Sequence, residues 1–109
     1  MGNFRTVLLP TADLAASREL YSKLLGTQPT ADSDYYVGFE VDGQQIGLVP
    51  GSTAVQPNLH VDDLEASLQL ITDAGGSIVD EPKQVGGGRR VAVVQDPSGA
   101  RFGLIHDAS

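Results

Sequence analysis

The stretch TADLAASRELYSKLLG, residues 11–26, is written a second time as VDDLEASLQLITDAGG, residues 61–76. Asp13/Asp63, Leu14/Leu64, Ala16/Ala66, Ser17/Ser67, Leu20/Leu70 and Gly26/Gly76 recur at a constant offset of 50. The correspondence extends outward. GQQIGLVPG, residues 43–51, has a counterpart in GARFGLIHD, residues 99–107, where the offset has grown to 56. Six residues are therefore added in the second copy, which carries KQVGGGRR at residues 83–90. Three consecutive glycines suit a mobile loop tip, because glycine meets no steric penalty in any backbone region. A unit of about 50 residues present twice is the most specific signal in the chain.

Each copy can be read locally. In the first, Leu14, Ser17, Leu20, Tyr21, Leu24 and Leu25 follow helical spacing and predict one apolar face. In the second, Leu64, Leu68 and Ile71 form the corresponding stripe. Asp13, and Asp62 or Asp63, stand where an N-cap carboxylate accepts from free backbone N–H groups. Gly26 and Gly75–Gly76 supply the left-handed residue that ends a helix. The β-rich run RTVLLPT precedes the first helix and NLHV the second. TQPTAD, YYVGFEV and QQIGLV follow the first; SIVDEP, RRVAVVQ and RFGLIH follow the second. Asp42–Gly43 is a two-residue hairpin signal, and DPSG at 96–99 is a turn with Pro97 fixing φ and Gly99 free to take positive φ. The prediction is an α+β fold of two tandem βαβββ modules, residues 3–51 and 54–107, in a single domain spanning 1–109. Neither half buries enough apolar area to stand alone at about 50 residues.

The totals exclude several classes. The 109 residues are 40% apolar and 19% charged, a globular composition. No apolar run approaches the ~18 residues of a membrane span, and no signal segment is expected at the N-terminus. Without cysteine there are no disulfides or thiolate metal sites. Only His60 and His106 could bring imidazole to a metal. A net charge of −7 repels nucleic acid and favours a cationic ligand. The expected setting is cytoplasmic. No Ser-His-Asp arrangement, phosphate loop or dinucleotide fingerprint is present.

The duplicated unit, with ADLAASRELYSKLLG and the DPSGARFGL turn and strand, resembles the vicinal-oxygen-chelate superfamily over about residues 4–107. That group includes glyoxalase I, bleomycin-resistance proteins, fosfomycin-resistance enzymes and extradiol dioxygenases. The resemblance implies a curved mixed sheet around a cleft, and in the enzymes a divalent metal that chelates two substrate oxygens. Carried onto this chain, the metal-ligand positions fall on Thr6 and Gln56 in the first strands and on Gly47 and Gly103 in the last strands. Glycine has no side chain to offer, threonine is a poor ligand and glutamine a neutral donor. The expectation is no metal and no cofactor. The two strand glycines point either to room for a ligand or to a bulge or tight packing.

Strand alternation gives a first set of ligand-facing residues. Gln56, Asn58 and His60 share one face with Gly47, Gly103 and Arg101. One of Tyr35 and Tyr36 joins them, as neighbours on a strand. Arg89 and Arg90 could clamp an anion as the glycine loop closes, so Arg90 is a candidate. His106 faces away by the same parity. The leading expectation is a metal-independent binding protein of the bleomycin-resistance type, a homodimer holding a basic or planar small molecule in an inter-module cleft. The alternative is a lyase, isomerase or dioxygenase with a non-standard site, using His60, Tyr35 or Glu40 as base. A third reading is an accessory protein with a vestigial cleft.

Overall fold

The computed structural model describes residues 2–108 and is α+β, as the pattern predicts. It divides into two compact units. One is Arg5–Gln56; the other is 57–108 together with 2–4. The division differs from the predicted module limits at both ends: residues 3–4 go to the later unit, where the Phe4 ring meets Phe102 edge-on at 5.7 Å, and residues 54–56 go to the earlier one.

The Arg5–Gln56 unit contains β1 (Asn3–Thr11, from residue 5 onward), α1 (Leu14–Leu25), β2 (Ala31–Asp32), β3 (Val37–Val41) and β4 (Gln44–Pro50). Its sheet runs β2-β3-β4-β1, with β1 and β4 parallel and the other neighbours antiparallel. Asp13 caps α1 by accepting from the Ala16 N–H at 3.1 Å, and Gly26 closes it at φ 69°. Thr11 sets the entry: its hydroxyl accepts from the Asp13 N–H and lies 2.6 Å from the Ser17 hydroxyl. Val37, Phe39, Ile46 and Leu48 form the core beneath α1, with Leu9, Leu14, Tyr21 and Leu25 packed on it. Leu20 and Leu24 do not join them and stay exposed, so the buried stripe of α1 is narrower than its heptad-like spacing suggests. Asp42 and Gly43, both at positive φ, make the tight turn between β3 and β4.

The second unit contains β5 (Gln56–His60, from residue 57 onward), α2 (Leu64–Asp73), β6 (Ser77–Gly86), β7 (Arg89–Gln95) and β8 (Arg101–Asp107). Its order is β5-β8-β7-β6, again with one parallel pair, β5 with β8. Asp63 is the cap of α2, accepting from the Ala66 N–H at 3.0 Å. Beyond Ala74, Gly75 turns at φ 96° and the Gly76 N–H returns to the Ile71 carbonyl. Leu64, Ala92, Val94 and Leu104 are the core, with Leu59, Val61, Leu68, Ile71 and Phe102 around it. At the 96–99 turn, Asp96 Oδ1 accepts from the N–H groups of Ser98 and Ala100, and Gly99 sits at φ 102°.

The glycine run forms the tip between β6 and β7: Gly86 pairs with Arg89 across a two-residue turn of Gly87 and Gly88, and the Gly88 carbonyl accepts from the Ala108 N–H at 2.9 Å. One local expectation is corrected: Tyr35 and Tyr36 are not strand neighbours. They lie in the 33–36 turn, whose geometry Ser33 sets by accepting from both their N–H groups and donating from its hydroxyl to the Tyr36 carbonyl.

Candidate functional site

In each unit one sheet face is covered by its helix, so any ligand chemistry falls to the other face. In the Arg5–Gln56 unit the register sets that face in rows. Thr6 lies opposite Gln45, which lies opposite Glu40. The buried Thr6 hydroxyl donates to Gln45 Oε1 at 3.1 Å, and Gln45 Nε2 donates weakly to Glu40 at 3.4 Å. In the next row, Leu8 lies opposite Gly47, and Gly47 opposite Gly38. Neither glycine has a positive φ. A Cβ on Gly38 would meet Tyr36 Cε2 at 3.0 Å. A Cβ on Gly47 would meet Tyr36 Cε1 and Leu8 Cδ2, each at 2.8 Å, and the Tyr36 hydroxyl closer still. The Tyr36 ring therefore lies along the paired glycines. This decides between room and tight packing at Gly47: the space is taken, by this chain's own aromatic ring. Tyr35 points elsewhere and is 84% exposed.

At the end of β1 and β4 the same unit has a shallow open depression of about 310 Å³, lined by Pro10, Thr11, Ala12, Gly51, Ser52 and Thr53. It carries no charged side chain.

In the second unit Asn58 lies opposite Gly103, and His60 opposite Ile105. Asn58 and His60 are both buried. Across β8, Gly103 faces Val93 and Ile105 faces Val91. At the strand end Asp107 is opposite Arg89, which holds its carboxylate in a two-pronged bond, Nε to Oδ1 at 2.6 Å and Nη2 to Oδ2 at 3.0 Å. His60 Nδ1 is 4.0 Å from Asp107 Oδ2. His60, Asp107 and Arg89 thus form one polar line on this face. Arg101 opens β8 opposite Gln95 and is exposed. Arg90 is not part of the group. One residue out of phase with Arg89, it reaches α2 and bonds Glu65 at 2.8–2.9 Å. Gln56 is the half-buried first residue of β5, in the Arg5–Gln56 unit.

The structure accordingly brings Tyr36 onto Gly47, and His60 beside Asn58 and Gly103, while leaving Tyr35, Arg101 and Arg90 outside those clusters. Sequence reasoning missed the Arg89–Asp107 clamp. The signal was available: counting back along the two strands from the 96–99 turn opposes residue 89 to residue 107.

The metal positions implied by the resemblance do not fit a divalent ion. Thr6 donates its hydroxyl to Gln45, Gly47 lies under a phenol ring and Gly103 offers no side chain, which leaves of the four positions only the neutral amide of Gln56. Among the described residues no three His, Asp or Glu side chains converge as a metal-binding group. Among them, too, no helix is long and apolar enough to cross a membrane.

A model of the Glyoxalase/Bleomycin resistance protein/Dioxygenase superfamily matches residues 3–104. Among curated relatives, an anthracycline biosynthesis protein, DnrV, of Streptomyces peucetius is 29% identical over 120 residues. The match takes in 88% of this chain but 44% of that protein, so the chain spans less than half of its relative. Among solved structures, a glyoxalase/bleomycin resistance protein/dioxygenase superfamily member from Vibrio splendidus 12B01 aligns with TM-score 0.73 and 21% identity, covering 97% of this chain and 100% of the other. Methylmalonyl-CoA epimerase from Mycobacterium tuberculosis aligns with TM-score 0.75 and 20% identity, covering 97% and 88%.

Proposed function

Because the chain belongs to the glyoxalase/bleomycin resistance protein/dioxygenase superfamily, we propose that it uses the family's scaffold as a metal-independent binding protein for a planar, basic small molecule. One observation carries the reading: at Gly47, where the family's enzymes place a carboxylate, this chain lays the ring of Tyr36. A position shaped to hold an aromatic ring suits a planar ligand, not the gripping of an ion. The net charge of −7 attracts a cation. The relative named for anthracycline biosynthesis supports a fused-ring ligand of that general kind. The homodimer expected from the family resemblance belongs to the same proposal, and sedimentation equilibrium tests it.

The test is isothermal titration of an anthracycline, and separately of bleomycin, into protein dialysed against chelator. Saturable binding of one of them, with the same Kd in excess EDTA and in added divalent metal, is the expected outcome. Binding or turnover that appears only after metal loading would refute it.

A second reading rests on His60. A buried imidazole beside a carboxylate that an arginine holds in place is an arrangement that can orient a proton acceptor. It favours a metal-free isomerase, for which deuterium uptake from D2O into a carbon acid, lost in His60→Gln, is the distinguishing measurement.

A further inference from the structure

Gly38 and Gly47 oppose each other across β3 and β4 with no positive φ at either, so backbone conformation does not explain why both are glycine. The ring of Tyr36 does. The two residues make a floor without side chains, one phenol ring long, with a Leu8 methyl at its edge. The floor is filled from outside the strand. Tyr36 hangs from the four-residue turn 33–36, in which the Ser33 hydroxyl accepts from the Tyr35 and Tyr36 N–H groups and donates to the Tyr36 carbonyl. The neighbouring Tyr35 is open to solvent, and Tyr36 itself remains 38% exposed. A ring that covers an apolar floor and belongs to a partly exposed residue on a surface turn is placed for exchange.

We infer that the Gly38–Gly47 floor is a binding seat for a phenol or other planar aryl group, and that Tyr36 is its internal occupant, which a ligand displaces by swinging the 33–36 turn. The inference rests on the metal-independent binding reading and names the chemical group recognised. A resident ring lowers the apparent affinity of an incoming one by the fraction of time the seat is open.

The probe is p-cresol, which reproduces the tyrosine side chain. Tyr36→Ala is expected to bind one equivalent, with a rise in Tm of about 5 °C at ten times its Kd. Wild type is expected to bind at least tenfold more weakly, and Tyr36→Ala/Gly47→Ala, with a methyl on the floor, to lose at least tenfold. Equal affinity in wild type and Tyr36→Ala, or binding unaffected by the Gly47 methyl, would overturn the inference. Should Tyr36→Ala not fold, wild type labelled with 3-fluorotyrosine is titrated with 2-naphthol. The 19F resonance of Tyr36, assigned through Tyr36→Phe, then moves toward the position of free fluorotyrosine; a resonance that stays put overturns the seat. The two readings fail separately. Rescue by p-cresol without anthracycline or bleomycin binding sinks the proposed function and leaves the seat, and the opposite result sinks the seat alone.

Discussion

A methyl group added at Gly47 should destabilise this protein in the presence of Tyr36 and cease to do so in its absence. Alanine is better than glycine in a strand by about 0.5–1 kcal/mol, and Gly47 has no positive φ to oppose the change. Against that gain stands the ring. The new Cβ would lie 2.8 Å from Tyr36 Cε1 and nearer its hydroxyl, so the ring must leave. With 38% of Tyr36 exposed, roughly 120 Å² of a tyrosine that can bury ~150–250 Å² is covered. At about 25 cal/mol per Å² its loss costs about 3 kcal/mol as an upper value. The cost exceeds the gain, and Gly47→Ala should lower stability by about 2 kcal/mol. In a Tyr36→Ala background only the Leu8 methyl remains within 2.8 Å, and it lies at the end of a side chain that can rotate. There the substitution should be neutral or stabilising by up to ~0.5–1 kcal/mol. Urea unfolding of wild type, both single variants and the double variant closes the cycle, with a coupling energy of about 2–3 kcal/mol. Additive effects, or a neutral Gly47→Ala in wild type, would refute the placement of the ring.

Four further outcomes follow from the rest of the structure. Asp63→Ala removes the carboxylate that accepts from Ala66 at 3.0 Å and should cost about 1 kcal/mol in urea unfolding, with Asp63→Asn retaining most of it. Leu104→Ala leaves a void beneath α2 at a fully buried position and should cost about 2–5 kcal/mol, read as a shift of the urea midpoint. Gly43→Ala puts a Cβ on a residue at φ 83° and should destabilise by about 1 kcal/mol or more, with cross-strand amide contacts between β3 and β4 weakening in NMR. Arg90→Ala breaks a partly exposed pair with Glu65 and should change stability by less than about 1 kcal/mol, an effect that fades in high salt.

The helices were legible because their signals are local. A carboxylate before an apolar periodic run and a glycine after it act within one turn, and Asp13, Asp63, Gly26 and Gly75 perform those roles. The Asp42–Gly43 turn was legible for the same reason. Strand alternation is likewise local: Thr6, Leu8 and Gly47 share a face, and Leu9 and Leu48 share the opposite one beneath α1. What parity could not supply was the partner of each side chain. Arg90 reads in sequence as a loop-end cation, but Glu65 of α2 lies on its side of the sheet. Leu20 and Leu24 read as core, yet the sheet beneath α1 reaches only Leu14, Tyr21 and Leu25.

Repetition, capping residues and turn residues determined from the sequence alone that this chain is two copies of one strand–helix–strand pattern, since each of those devices works through contacts a few residues apart. The glycines at the family's ligand positions could also be read there, but not their consequence. Whether Gly47 left a space or served as a floor depended on a ring eleven residues away in the chain, brought over it by a turn and a strand pairing. The same holds for Arg89 and Asp107, eighteen residues apart in sequence and 2.6 Å apart in the fold. Side-chain occupancy is a property of packed neighbours, and only the assembled sheet brings those neighbours together.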